Sequence, residues 1–250
     1  RLNELERSSS SLPQEECKDI ALNWLRKKVF TGRKPHDLNP RFYGKHLVEE
    51  FRVETAFWWS QEGIFNHACM FRHFQDINRN IPVTIAVWRD GTRGLGLHKD
   101  FIRETCLKGR AVMVLDITAD GVFKPDYYEN KRIPENNIET HKLIDDLIWL
   151  DDSIVAIRTY DILKALDMID IWPGIKNDNT EVYGYGYHGI YAQLAAVLDP
   201  RIKDVRVKDC IESFAELVRA RHYDFDFYDI MDRILPGVLK YFDLPDIKRW

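Results

Sequence analysis

The stretch Glu181-Val-Tyr-Gly-Tyr-Gly-Tyr-His-Gly-Ile-Tyr-Ala-Gln-Leu-Ala-Ala-Val-Leu-Asp199 decides how this chain is read. It has the pattern of a strand, a glycine-packed tight turn, and a helix whose small-residue face is Ala192, Ala195 and Ala196. A strand that turns sharply into a helix makes a reactive position, because free backbone N–H groups at the helix N-terminus favour negative charge. Here the turn is Gly184-Tyr185-Gly186-Tyr187-His188-Gly189.

Two known patterns fit these six residues. One is G-x-G-x-x-G, the dinucleotide fingerprint, and Asp209 stands 20 residues past Gly189, where a ribose-binding acid belongs. A dinucleotide fold needs several βαβ units after its fingerprint, and the 61 residues after Gly189 carry one convincing strand. The nicotinamide or flavin reading is set aside, and no cofactor is expected. The other pattern is the strand–turn–helix of G-x-S-x-G, in which a serine at the apex of the turn is the nucleophile. In this chain the apex is Gly186.

Composition bounds the rest. The chain has 250 residues, 45% hydrophobic and 12% aromatic, enough for a sizeable core. Mean hydropathy is −0.39 and no apolar run approaches the ~20 residues of a membrane span. The formal charge of −4 comes from intermixed acids and bases, which leaves no footprint for nucleic acid or an anionic membrane. Residue 1 is Arg, so the lack of a signal peptide says nothing about localisation. Cys17, Cys69, Cys106 and Cys210 are scattered without a C-x-x-C or a ligand-spaced His, so no metal site is expected, and Cys69 and Cys106 read as small buried hydrophobes.

Along the chain, residues 1–15 read as a loose polar leader with the run Ser8–Ser11, and Glu15 to Val29 as a helix. Gly32 to Gly44 reads as irregular. Phe51, Val53, Thr55, Phe57 and Trp59 alternate with Arg52, Glu54 and Ala56, the mark of a half-buried strand. Ile64 to Phe74 completes a hairpin at the sheet edge, with Trp58 and Trp59 on opposite faces. Ile81–Trp88 is almost continuously apolar, and Ala111–Leu115 is a second apolar run ending at Asp116, as strands buried on both faces must be. Helices are predicted at about 97–108, 139–150 and 153–170; Ser153 is a displaced nucleophile or, as its place before the last of these favours, that helix's N-cap. With strands at 180–184 and 203–208, the order is the alternation of a parallel sheet with crossover helices.

At this point the chain resembles a family. Val83-Thr-Ile-Ala-Val-Trp-Arg-Asp-Gly91 sits where α/β-hydrolases carry a strand ending in His-Gly. Asp151 to Asp167 is similar to the helix before their elbow strand, and Leu194-Ala-Ala-Val-Leu-Asp-Pro-Arg-Ile202 to the elbow helix and its exit. Over residues 47–246 these features resemble the acetyl xylan esterase and prolyl-oligopeptidase-like branch. The resemblance implies a mostly parallel α/β sheet with flanking helices, preceded by a leader and helix at 1–46. It implies an esterase-like hydrolase whose elbow serine has become Gly186, with His188 in place of the small residue that follows and Asp90-Gly91 in place of His-Gly. The family pattern continues past Leu244-Pro245-Asp246 with two strands bearing the triad acid and His, so residues 47–250 are expected to be a C-terminally incomplete domain with no assignable catalytic residue.

Each candidate residue has a plain reading beside the functional one. His188 is a substitute base or nucleophile, or a space-filling His with one hydrogen bond. Tyr185 and Tyr187 line a sugar cleft, or pack the core. Asp116 and Asp120 form a carboxylate pair with raised pKa for acid–base work, or serve as loop and cap residues. Arg89 and Arg93 meet a carboxylate at the ligand-binding edge of the sheet, or are solvated. The expected ligand surface is Asp90, Gly91, Arg93, Asp116, Tyr185, Gly186, Tyr187 and His188, facing an acidic or acylated sugar. Three functions are compatible with this pattern: a hydrolase completed by another segment, a pseudo-enzyme that binds a sugar or partner, and an oligomerisation module pairing through the strand edge after Val207.

Overall fold

A computed structural model describes residues 14–124, 138–220, 222, 230–248 and 250. Residues 1–13 of the leader, with its Ser run, and residues 125–137 lie outside the described residues.

Seven strands form one sheet: β1 (Arg41–Val48), β2 (Phe51–Gln61), β3 (Ile64–His73), β4 (Ile81–Val87), β5 (Ala111–Asp116), β6 (Ile175–Tyr185) and β7 (Ile202–Lys208). Their spatial order is β1-β2-β3-β5-β4-β6-β7. β1, β2, β3 and β5 pair antiparallel, while β5, β4, β6 and β7 pair parallel. The expected parallel set and the expected hairpin are both present.

Burial on both faces explains why β4 and β5 are almost continuously apolar, with Thr84 and the terminal Asp116 the exceptions. Val83, Ile85, Val87, Ala111, Met113 and Leu115 face one core; Ala86, Trp88, Val112 and Val114 face the other. The larger core lies under α1 (Gln14–Phe30), α4 (Ile154–Ile171) and α5 (His188–Leu198). The smaller lies under α2 (Lys99–Leu107), which contributes Ile102 and Cys106. Burying each such Val, Leu or Ile contributes about 1.5–3 kcal/mol. Further α-helices among the described residues are α3 (Ile138–Trp149), α6 (Phe214–Arg219) and α7 (Leu244–Ile247). Ser153 caps α4 as expected, its side chain accepting from the Ala156 N–H at 3.1 Å.

Two expectations are corrected. Residues 41–44 begin a strand, and this strand, not the hairpin, is outermost on its side of the sheet. β1 is exposed along nearly its whole length, so no apolar alternation marks it; cross-strand pairing with β2 holds it. β6 also starts five residues early, at Ile175, through the exposed polar run Asn177-Asp178-Asn179. Trp58 is fully buried and Trp59 half-buried, which places them on opposite faces.

Candidate functional site

The turn that opened the sequence reading lies between β6 and α5, and its glycines do different work. A Cβ on Gly184 would stand 2.5 Å from the Gly189 Cα, and one on Gly189 would stand 2.9 Å from Cys210 Sγ. These two glycines let strand, helix and the chain after β7 pack in contact. Gly186 has φ +63°, a left-handed backbone, and among the described residues nothing lies within 4 Å of where its Cβ would be. Its N–H donates to the Lys208 carbonyl at 2.8 Å, which ties the turn to β7. The apex is open and carries no side chain.

Below the turn, Asp120 holds three segments together. Its Oδ1 accepts from the backbone N–H of Asp90 at 3.0 Å and of Gly121 at 2.8 Å, and its Oδ2 lies 2.8 Å from His188 Nε2. Burial, the largest influence, opposes ionisation of Asp120. The hydrogen bond and charge of His188, the charge of Arg158 and the Gly121 N–H outweigh it and bring the pKa down to about 2. The expected carboxylate pair with raised pKa is therefore corrected. Asp120 is a buried anion, and Asp116 has partners of its own: the Thr92 N–H at 2.6 Å, the Thr92 hydroxyl at 2.5 Å and His67 Nδ1 at 2.7 Å.

The eight candidate residues divide by depth. Asp90, Tyr185 and Gly186 are half-buried and Arg93 is exposed. Gly91, Asp116, Tyr187 and His188 are buried, His188 with no exposed surface. Asp90 has φ +63° and an ion pair with Lys124 at 2.8 Å. Tyr187 stacks on the His188 ring at 4.3 Å, and Tyr191 meets that ring edge-on at 5.5 Å. His188 Nδ1 has no hydrogen-bond partner. Tyr185 is flanked by the Lys208 ammonium, 5.8 Å from its ring centre, and by His98 at 5.2 Å; its phenol is raised by a hydrogen bond to Asp209. Asp209, the residue a ribose reading needed, is thus engaged with Tyr185.

Sequence reasoning missed several neighbours. His98 stacks on Trp88 at 4.0 Å, and burial, then the charges of His188 and Lys208, lower its pKa. Arg158, fully buried on α4, ion-pairs with Asp232 and donates to the Tyr191 hydroxyl at 2.9 Å and the Thr118 carbonyl at 3.0 Å. An Arg directly after the apolar run Ile154–Ile157 was the available signal. Cys69 and Cys106 are buried as expected, and burial pushes both thiols up to about 12. Among the described residues, no cluster of three His, Cys, Asp or Glu could hold a metal, and no helix is long and apolar enough to cross a membrane.

No family model and no curated protein matches the sequence. Solved structures do. A Bacteroides fragilis protein provisionally named an acetyl xylan esterase superposes with a TM-score of 0.75 at 15% identity, over 95% of this chain and 66% of that one. This chain thus spans just under two thirds of that protein's length. Acetyl xylan esterase 1 from Thermoanaerobacterium sp. gives 0.56 at 14% identity, over 94% and 79% of the two chains. Glucuronoyl esterase from Solibacter usitatus gives 0.54 at 10%, over 83% and 61%. Likeness at such identities is one of architecture, and the architecture of this chain is the α/β-hydrolase fold.

Proposed function

We propose that this chain is a carbohydrate-esterase-type α/β-hydrolase domain that binds an acidic or acylated sugar over its elbow and forms no acyl-serine there. The observation that carries the reading is Gly186: the apex from which a nucleophile would project has no side chain to attack with. Removing one member of a catalytic triad costs several orders of magnitude in rate. The buried His188 is engaged with Asp120. The names of the superposed structures, acetyl xylan and glucuronoyl esterases, support the sugar class.

On this reading the ligand meets Tyr185, Gly186, Asp90 and Arg93. Gly91, Asp116, Tyr187 and His188 hold the turn and loop in place from beneath. The test has two arms. A fluorophosphonate probe is expected to label no serine, and p-nitrophenyl acetate to turn over no faster than with heat-denatured protein. Stoichiometric labelling at any serine would overturn the reading. In a thermal-shift series of uronic acids and acetylated xylo-oligosaccharides, a ligand at 100 times its Kd adds about 2.7 kcal/mol. No stabilisation by any of them would remove the sugar class from the proposal.

A further inference from the structure

Asp116, at the end of β5, is built into a closed cradle. A Cβ on either Gly91 or Gly121, both at positive φ, would come within 1.9 Å of Asp116 Oδ1. Thr92 supplies two donors to the carboxylate and His67 a third. A neutral His67 that gives its Nδ1–H to Asp116 presents Nε2 as an acceptor, and the Tyr43 hydroxyl lies 2.6 Å from it. The bonding pattern thus sets the tautomer and turns the only phenol proton of Tyr43 toward the imidazole.

The chain Asp116–His67–Tyr43 runs outward from the core. Asp116 is 0% exposed, His67 6% and Tyr43 62%. Tyr43 falls where the β1–β2 register shifts, between Phe42 and Gly44. Such bulges re-aim a side chain and recur beside functional sites. The shift brings the strands so close that a Cβ on Gly44 would stand 2.0 Å from Thr55 Oγ1. Burial, then the neighbouring Cys69 and Asp116, outweigh a hydrogen bond from Thr55 and hold the Tyr43 phenol above its ordinary value, so it remains a hydroxyl at neutral pH.

Beside this hydroxyl is a cavity of about 300 Å³, lined by Tyr43, Phe57, Phe65, His67, Val122 and Phe123. Phe57 and Phe65 meet edge-to-face at 5.7 Å. The walls are aromatic or aliphatic, and the polar groups are those of one hydrogen-bonded chain. Small-molecule sites have this form: an apolar bowl with few, fixed polar groups.

We propose that this cavity binds a small phenol or aromatic alcohol, its ring against Phe57, Phe65 and Phe123 and its O–H donated to the oxygen of Tyr43. The direction follows from proton counting. Tyr43 has one proton and gives it to His67, so its oxygen is left as an acceptor, polarised by the carboxylate–imidazole pair behind it. A ligand of the same size without a donor forgoes that hydrogen bond.

The isomers 4-ethylphenol and 4-methylanisole separate these cases, having equal composition and one having no O–H. Titrated by calorimetry into the full chain at pH 7, 4-ethylphenol is expected to bind one-to-one, about tenfold more tightly than 4-methylanisole. Tyr43→Phe keeps the ring and removes the oxygen, and is expected to bring the two within about twofold of each other. Val122→Trp, at a surface position, fills the bowl and should abolish binding of both. The isomer comparison in the unaltered protein stands whether or not either variant folds. Equal affinity for the two isomers, or no saturable binding up to about 10 mM, overturns the proposal. Neither result touches the elbow, so this site and the sugar reading fail independently.

Discussion

Asp120 is the residue on which the site's electrostatics turn. Its carboxyl is depressed from its ordinary value to about 2, a difference that corresponds to about 2 kcal/mol of folding stability. The sign follows from proton binding. Near pH 3 the unfolded chain holds more protons on this group than the folded one. The stabilisation is therefore complete above about pH 4 and fades as pH falls toward 2. Asp120→Asn is expected to lose about 2 kcal/mol at pH 7, because it leaves His188 Nε2 facing an uncharged amide, and to show a flatter stability curve between pH 4 and 2. Urea midpoints at pH 7, 4 and 2.5 for both proteins check this. Curves that stay parallel would mean that Asp120 is not the buried anion described.

At the scale of elements, the β6–α5 turn separates two roles for glycine that look identical in sequence. Gly184→Ala drives a methyl into the Gly189 backbone and is expected to cost about 3 kcal/mol. Gly186→Ala meets no atom and pays only for its left-handed backbone, about 1 kcal/mol. Denaturant unfolding of the two variants gives the order, and a reversed order would contradict the packing of the turn. This element was legible because a strand, a glycine turn and a small-faced helix each leave a periodic mark. β1 was not, since a strand exposed on both faces has no pattern to leave. The same blindness hid Tyr43, and with it the partner of His67: their pairing depends on a bulge and on β3 lying beside β5, neither of which local periodicity records. Asp116 and Asp120 stood out as acids after a buried strand, but the donors that fix their charge come from residues 67, 90, 92 and 188, remote in sequence.

Across the whole molecule, Arg158 joins what the sheet alone does not. From α4 it reaches Thr118 and Ala119 after β5, Tyr191 on α5, and Asp232 in the C-terminal region. Arg158→Met leaves the buried Asp232 without its cation and is expected to cost 3–5 kcal/mol, roughly what breaking a buried pair costs. Replacing both, Arg158→Met with Asp232→Leu, should recover much of that loss, because no charge is then stranded. Thermal and urea unfolding of the single and double variants measure the difference. A double variant as unstable as the single one would show that Arg158 acts through its carbonyl partners instead.

The sheet's mixed pairing carries one further consequence, for the way the molecule comes apart. β1, β2 and β3 follow one another in sequence and pair across short turns, so their contacts close small loops. The parallel half is different: β5 pairs with both β3 and β4, and β6 reaches β4 from nearly a hundred residues away. Closing such separations is entropically slow, whereas the three-strand meander can assemble locally. One side of the sheet is thus joined by local contacts, and the other by remote ones. Native-state hydrogen exchange is expected to report two tiers: amides of β4, β5 and β6 opening only with global unfolding, and those of the exposed β1 opening well below it.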